Sequence, residues 1–147
     1  MSIPAGTKFI GIAADVDTYE RKSAQANSPS NVYTIEEISE LAKTPVVQSV
    51  VSSASLTALS SSDIIVITAQ AVGLTLANPT GTWVQGQALM IRIKDNGSAQ
   101  TIAYDTKFRA IGVTLPTTTT ASKTTYLGVI YNATDDKFDV MGVTTEA

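Results

Sequence analysis

Between Leu89 and Lys94 the chain alternates without a break: Leu89, Ile91 and Ile93 are apolar, and Met90, Arg92 and Lys94 stand between or beyond them. A repeat of two puts the first set on one side of an extended strand and the second on the other, whereas a helical face returns every third or fourth residue. Asp95, Asn96 and Gly97 follow at once, and such a run supplies the positive backbone angles of a tight primed turn. The stretch therefore predicts a hairpin, with Gln100–Tyr104 returning antiparallel to it. Upstream, a turn over Asn78-Pro79-Thr80-Gly81, the only tryptophan (Trp83) and a Gly86-Gln87 step lead into the strand.

The same pattern governs the chain from Val46 to its end. Val46–Val51 and Ser55–Leu59 read as strands, Ser60–Asp63 as a turn, and Ile64–Ala69, apolar on both sides, as a central buried strand. Gly73–Ala77, Ile111–Leu115 and Lys123–Ala133 are further strands, with Asp105–Arg109 as a corner. Thr134, Asp135 and Asp136 make a turn from which Lys137–Val143 pairs back. About eight strands separated by turn signals predict a mainly β, antiparallel sandwich or barrel over 45–147. No helical pattern lies between them, which argues against a parallel βαβ fold.

The first third differs. Residues 1–33 hold one apolar cluster around Phe9, Ile10 and Ile12, then a polar run that includes Arg21 and Lys22 and ends in Ser28-Pro29-Ser30-Asn31. Too little apolar surface is present for this segment to fold alone, so it reads either as a tail or as an extended arm that orders on a partner. In the second case Phe9, Ile10 and Ile12 are apolar anchors and Arg21 and Lys22 polar contacts. Over 34–44, Thr34 and Glu37 form a capping box for a short helix that places Ile35, Ile38, Leu41 and Ala42 on one face, and Pro45 stops it. A helix of this length needs something to dock against.

Composition removes most chemistry. The 147 residues include no cysteine and no histidine, which excludes disulfides, thiol nucleophiles, imidazole bases and the commonest metal ligands. A net charge of −3 speaks against a phosphate-binding surface, so no nucleic-acid partner is expected. Charged residues make up 16% of the chain, against about 25% in a typical domain, as suits a surface that packs against other subunits. The opening residues carry no export pattern, and no apolar run is long enough to insert in a membrane. The carboxylate pair Asp135–Asp136 falls in a turn, Asp15–Asp17 lacks the rest of a calcium loop, and no nucleophile elbow or phosphate loop is present. No catalytic, metal or cofactor residues are therefore assigned, and no enzyme activity is expected. Four residues stand out as contacts to a glycan or partner: Trp83 and Tyr104, which either stack on a sugar or fill the core or an inter-subunit seam, and Lys107 and Arg109 beside them.

Several spaced segments occur together: P-T-G-T-W-V-Q-G-Q from Pro79, I-R-I-K-D-N-G from Ile91, D-T-K-F-R-A from Asp105 and Y-L-G-V-I-Y-N from Tyr126. This half of the chain resembles a module of tailed-bacteriophage virion proteins, and the N-terminal third more loosely resembles the leading segment of phage fibre and decoration proteins. The resemblance implies a jelly-roll-like sandwich that assembles as a homotrimer, fixed to capsid or tail proteins by its N-terminal arm and projecting outward. The expected setting is the virion, after synthesis in the bacterial cytoplasm, as a head fibre or decoration protein. The alternative is a tail-fibre or receptor module that binds host surface glycans.

Overall fold

A computed structural model of the protein describes residues 44–147 and two short strands before them, β1 (Glu20–Arg21) and β2 (Val32–Tyr33). The chain divides into two units, Met1–Thr44 and Pro45–Ala147. In the first, β1 pairs antiparallel with β2, Arg21 opposite Val32. The helix expected over 34–43, the apolar anchors Phe9, Ile10 and Ile12 and the polar contact Lys22 lie outside the described residues.

In the second unit, alternating strands leave each sheet with one apolar side, and two sheets bury these sides against each other. The strands are β3 (Val47–Val50), β4 (Ser55–Leu59), β5 (Ile64–Gln70), β6 (Leu74–Thr80), β7 (Ala88–Asp95), β8 (Ile102–Tyr104), β9 (Phe108–Ala110), β10 (Thr124–Asn132) and β11 (Lys137–Thr145). The large sheet runs β3-β5-β7-β10-β11-β9 and the small one β4-β6-β8. Leu89, Ile91 and Ile93 are buried between them as the alternation predicts, with Ile65 and Ile67 of β5, Leu127 and Val129 of β10 and Leu74 and Leu76 of β6. Burying side chains of this size contributes about 1.5–3 kcal/mol each.

Strand direction departs from the antiparallel expectation. From β3 to β8 the chain crosses from one sheet to the other at every step. The odd strands β3, β5 and β7 are therefore parallel to one another, and so are β4, β6 and β8. Each pair of successive strands forms one turn of a flattened coil. A parallel pair needs a long crossover, usually helical; here the strand in the opposite sheet supplies it. Only β7–β10 and β10–β11 are antiparallel in this unit, and β9 lies parallel to β11.

The turn after β7 is the pivot of this difference. A type I′ hairpin turn needs positive φ at both central residues and a type II′ turn at the first; Gly97 has φ +117°, but Asn96 is not in that region. The Asp95 carboxylate instead accepts from Gly97 N at 2.7 Å, from Ser122 N at 2.9 Å and from the Thr119 hydroxyl at 2.5 Å. These bonds tie the corner to the loop before β10, and the chain crosses to the small sheet, where β8 pairs with β6. Gln100–Tyr104 is thus not the return strand of a hairpin. The true hairpin is β10–β11, with Asn132 opposite Lys137 and Asp136 at φ +51° in the turn expected there.

Two smaller corrections have the same origin. The corner expected over Asp105–Arg109 gives way at Phe108 to strand β9, and Ile111–Leu115, expected as a strand, pairs with nothing regular. Gly112 turns the backbone at φ +69°, and Val113 and Leu115 pack on the core from a loop. Strand β5 lies inside the large sheet, yet only Ile65, Ile67 and Gln70 are fully buried, since Ile64 and Val66 reach the outer face.

Glutamines join the turns of the coil. Gln70 is fully buried; its amide donates to Ser53 O and Val72 O and its carbonyl accepts from Ser53 N. Gln87, of the Gly86-Gln87 step, donates to Ser60 O and accepts from Val84 N. A buried amide with partners on both ends is stable where an unpartnered one is costly.

Candidate functional site

The four contact residues expected from sequence converge on one end of the large sheet, and their polar atoms are engaged there. Trp83 donates its indole N–H to Thr80 O at 3.0 Å, with its ring edge-on to Phe138 at 4.8 Å and tilted against Tyr131 at 6.3 Å. Tyr104 donates its hydroxyl to Pro116 O at 3.0 Å and stands against Phe108, with burial pushing its phenol pKa up. Phe108, Phe138 and Tyr131 continue the cluster between them.

Around this aromatic group lies an ionic clasp. Arg109 grips Asp139 with two N–H groups at 2.7 and 3.0 Å and reaches Asp135 at 2.9 Å. These bonds hold the Asp139 carboxyl below the usual range and raise the Arg109 guanidinium further above its own. Lys107 meets Asp136 at 2.7 Å, and Asp136 also accepts from the Tyr131 hydroxyl. The Lys107 and Tyr131 hydrogen bonds hold the Asp136 carboxyl low; the bond to Asp136 in turn lifts the Tyr131 phenol. Since Arg109 lies in β9 and Lys107 just before it, and their partners lie on β11 and its turn, the clasp fastens the last strand of the sheet. Half-exposed pairs of this sort contribute little beyond a bidentate grip. Among the described residues no group of acidic side chains is placed to hold a metal ion.

A different surface lacks such internal partners. On the outer face of the large sheet the register sets Val47, Ile64, Met90, Gly128 and Gly142 side by side across five strands. The next row is Ser49, Val66, Arg92, Tyr126 and Thr144, in which Arg92 donates to the Tyr126 hydroxyl at 3.3 Å. Arg92 is the one charge in these two rows. The facing glycines leave a trough of about 530 Å³, walled by Met90, Ile130 and Met141 with Asp63 at one end. Met141 is the residue left over at the bulge where β10 and β11 slip register, and it is 50% exposed. An added methyl at Gly128 would come no nearer than 3.9 Å to any atom, and at Gly142 none lies within 4 Å. The glycines therefore shape the outer surface, and the packing beneath does not require them. Contiguous exposed apolar surface of this kind marks places where proteins meet other molecules.

Sequence reading placed Arg92 on the outward side of β7 but did not single out the trough. Met90 and Ile130 could be assigned to an outward face by alternation, but the pairing of Gly128 with Gly142 exists only once the β10–β11 register is known. No known protein family, curated protein or solved structure matches this chain.

Proposed function

We propose that the protein is a non-enzymatic structural component of a tailed-phage particle: a homotrimeric head fibre or decoration protein, held by its N-terminal segment and presenting the β unit outward. The observation that carries the assembly part of this reading is the apolar trough on the outer face of the large sheet. The trough between Met90, Ile130 and Met141 fits an apolar side chain of a neighbouring subunit, which a symmetric oligomer would bury. The phage setting rests on the segments that resemble virion proteins. Trp83 and Tyr104 have their polar atoms bonded internally, which favours assembly over a glycan-binding tip. The jelly-roll expectation gives way to a coil of parallel strands closed by a hairpin, a scaffold equally able to project from a particle.

Anchoring is tested by particle incorporation. The full chain is expected in purified particles, and a chain lacking residues 1–33 is expected to fold but stay in the supernatant. Normal incorporation of the shortened chain would remove the docking role of the arm.

A further inference from the structure

The coil of parallel strands has an open end. Its first turn consists of β3 and β4, and among the described residues each is the terminal strand of its sheet. Such edges present unpaired N–H and C=O groups that template the addition of another strand unless something blocks them. The two edges differ in this respect. Thr75 N donates to Ala54 O, and in a parallel ladder alternate residues face the neighbour, so Thr57 and Leu59 direct their backbone groups away from β6. Both are occupied: Gln48 donates its amide to Thr57 O at 2.9 Å and accepts from Leu59 N at 3.3 Å. The side chain of Gln48 caps β4 as a short strand would.

Among the described residues no such cap lies on β3. Ile64 N donates to Val46 O, so by the same alternation Val47 and Ser49 aim their N–H and C=O groups outward, away from β5. No charged residue occurs between Thr44 and Ser62, and Val47 and Val51 are 51% and 70% exposed. The opposite edge of the large sheet, β9, carries Arg109 and follows Lys107, charges of the kind that keep edges from pairing.

We propose that β3 pairs with β3 of a second copy, antiparallel about a two-fold axis through Ser49. The residues Val46-Val47-Gln48-Ser49-Val50-Val51 suit themselves as partner. In this register Ser49 faces Ser49 and Val47 faces Val51, both on the outer side of the joined sheet. Ser49, whose N–H and C=O aim outward, becomes the central hydrogen-bonded pair of the new ladder, while the Val51 carbonyl stays with Ala69 N at 2.8 Å, and no charge is buried. Antiparallel pairs with matched apolar side chains are the favoured form of such a contact. The contact rests on an edge of its own and not on the trough; in a trimer it would join subunits of separate trimers.

A four-residue edge makes a weak contact, so covalent trapping reads it better than sedimentation. The chain has no cysteine, and residues facing each other in a hydrogen-bonded antiparallel pair have Cα atoms about 5.5 Å apart, within disulfide range. Under mild oxidation the full-length Ser49→Cys protein is expected to form a disulfide-linked pair at least tenfold faster than Ala99→Cys, a control in an exposed loop. Adding Val47→Lys to Ser49→Cys is expected to reduce trapping to the control rate, with circular dichroism unchanged. Equal rates for Ser49→Cys and Ala99→Cys, or trapping that survives Val47→Lys, would overturn the proposal. Fast trapping in a protein that otherwise sediments as a monomer would support edge pairing while removing the trimer.

Discussion

Replacing Phe138 by alanine is expected to lower the stability of the β unit by about 3–5 kcal/mol, the range for removing a fully buried aromatic ring. Phe138 is 1% exposed. It is also the centre of the aromatic group: Trp83 meets it edge-on at 4.8 Å, Tyr131 lies at 4.8 Å and Phe108 at 5.9 Å. Its loss would leave a cavity and remove the support beneath the loop that carries Trp83. A domain of this size is stable by only about 5–15 kcal/mol, so the variant should lie close to its unfolding limit. Urea titration followed by the emission of the single tryptophan reports both effects, as a fall in midpoint and as a red shift of the folded state. Phe138→Leu, which keeps much of the volume, should recover more than half of the loss. A Phe138→Ala midpoint within error of the parent would mean that this end of the sheet is not packed as described.

The second large effect belongs to Asp95. Its carboxylate is 2% exposed and holds the corner after β7 to the loop before β10. Burial alone would push the carboxyl pKa up, but hydrogen bonds from Thr119, Ser122, Gly97 and Ser98 outweigh it and hold the group below its ordinary value. Asp95→Ala leaves those donors without an acceptor. Hydrogen bonds to a charged group contribute about 1.5–3 kcal/mol each and do not add fully, so a loss of about 3–4 kcal/mol is expected. The pH dependence has a definite sign. A carboxyl depressed in the folded state stabilises the fold above its unfolded value of 3.8, and that stability is lost as pH falls through the lower folded value. Asp139 is shifted the same way by Arg109. Stability should therefore be flat from neutral pH to about 5 and fall below about 4. Asp95→Ala should flatten that fall, which urea midpoints measured from pH 7 to 3 would show.

What the sequence made legible follows from what a period of two contains. Alternation identifies which side chains are buried, and Leu89, Ile91 and Ile93 are in the core for that reason. The Thr134–Asp136 turn was legible because its residues suit a turn locally and the strands on each side are long. Alternation carries no information about the direction of the neighbouring strand, so parallel β3–β5–β7 and an antiparallel meander look alike in sequence. The Asn96-Gly97 pair misleads because the decisive contacts of Asp95, with Thr119 and Ser122, lie 24 and 27 residues further along the chain. Lys107 and Arg109 looked like open contacts since their partners Asp136 and Asp139 lie 29 and 30 residues away. The trough required a register, which no single stretch of sequence contains.

Assembly through the outer face of the large sheet is the central claim, and sedimentation equilibrium of the full chain at micromolar concentration tests it most directly. The parent is expected at three times the monomer mass. Met141→Glu, which sets a charge on the wall of the trough at a half-exposed position, is expected to sediment as a monomer with its circular dichroism unchanged. A monomeric parent, or a Met141→Glu protein that remains trimeric, would contradict the account.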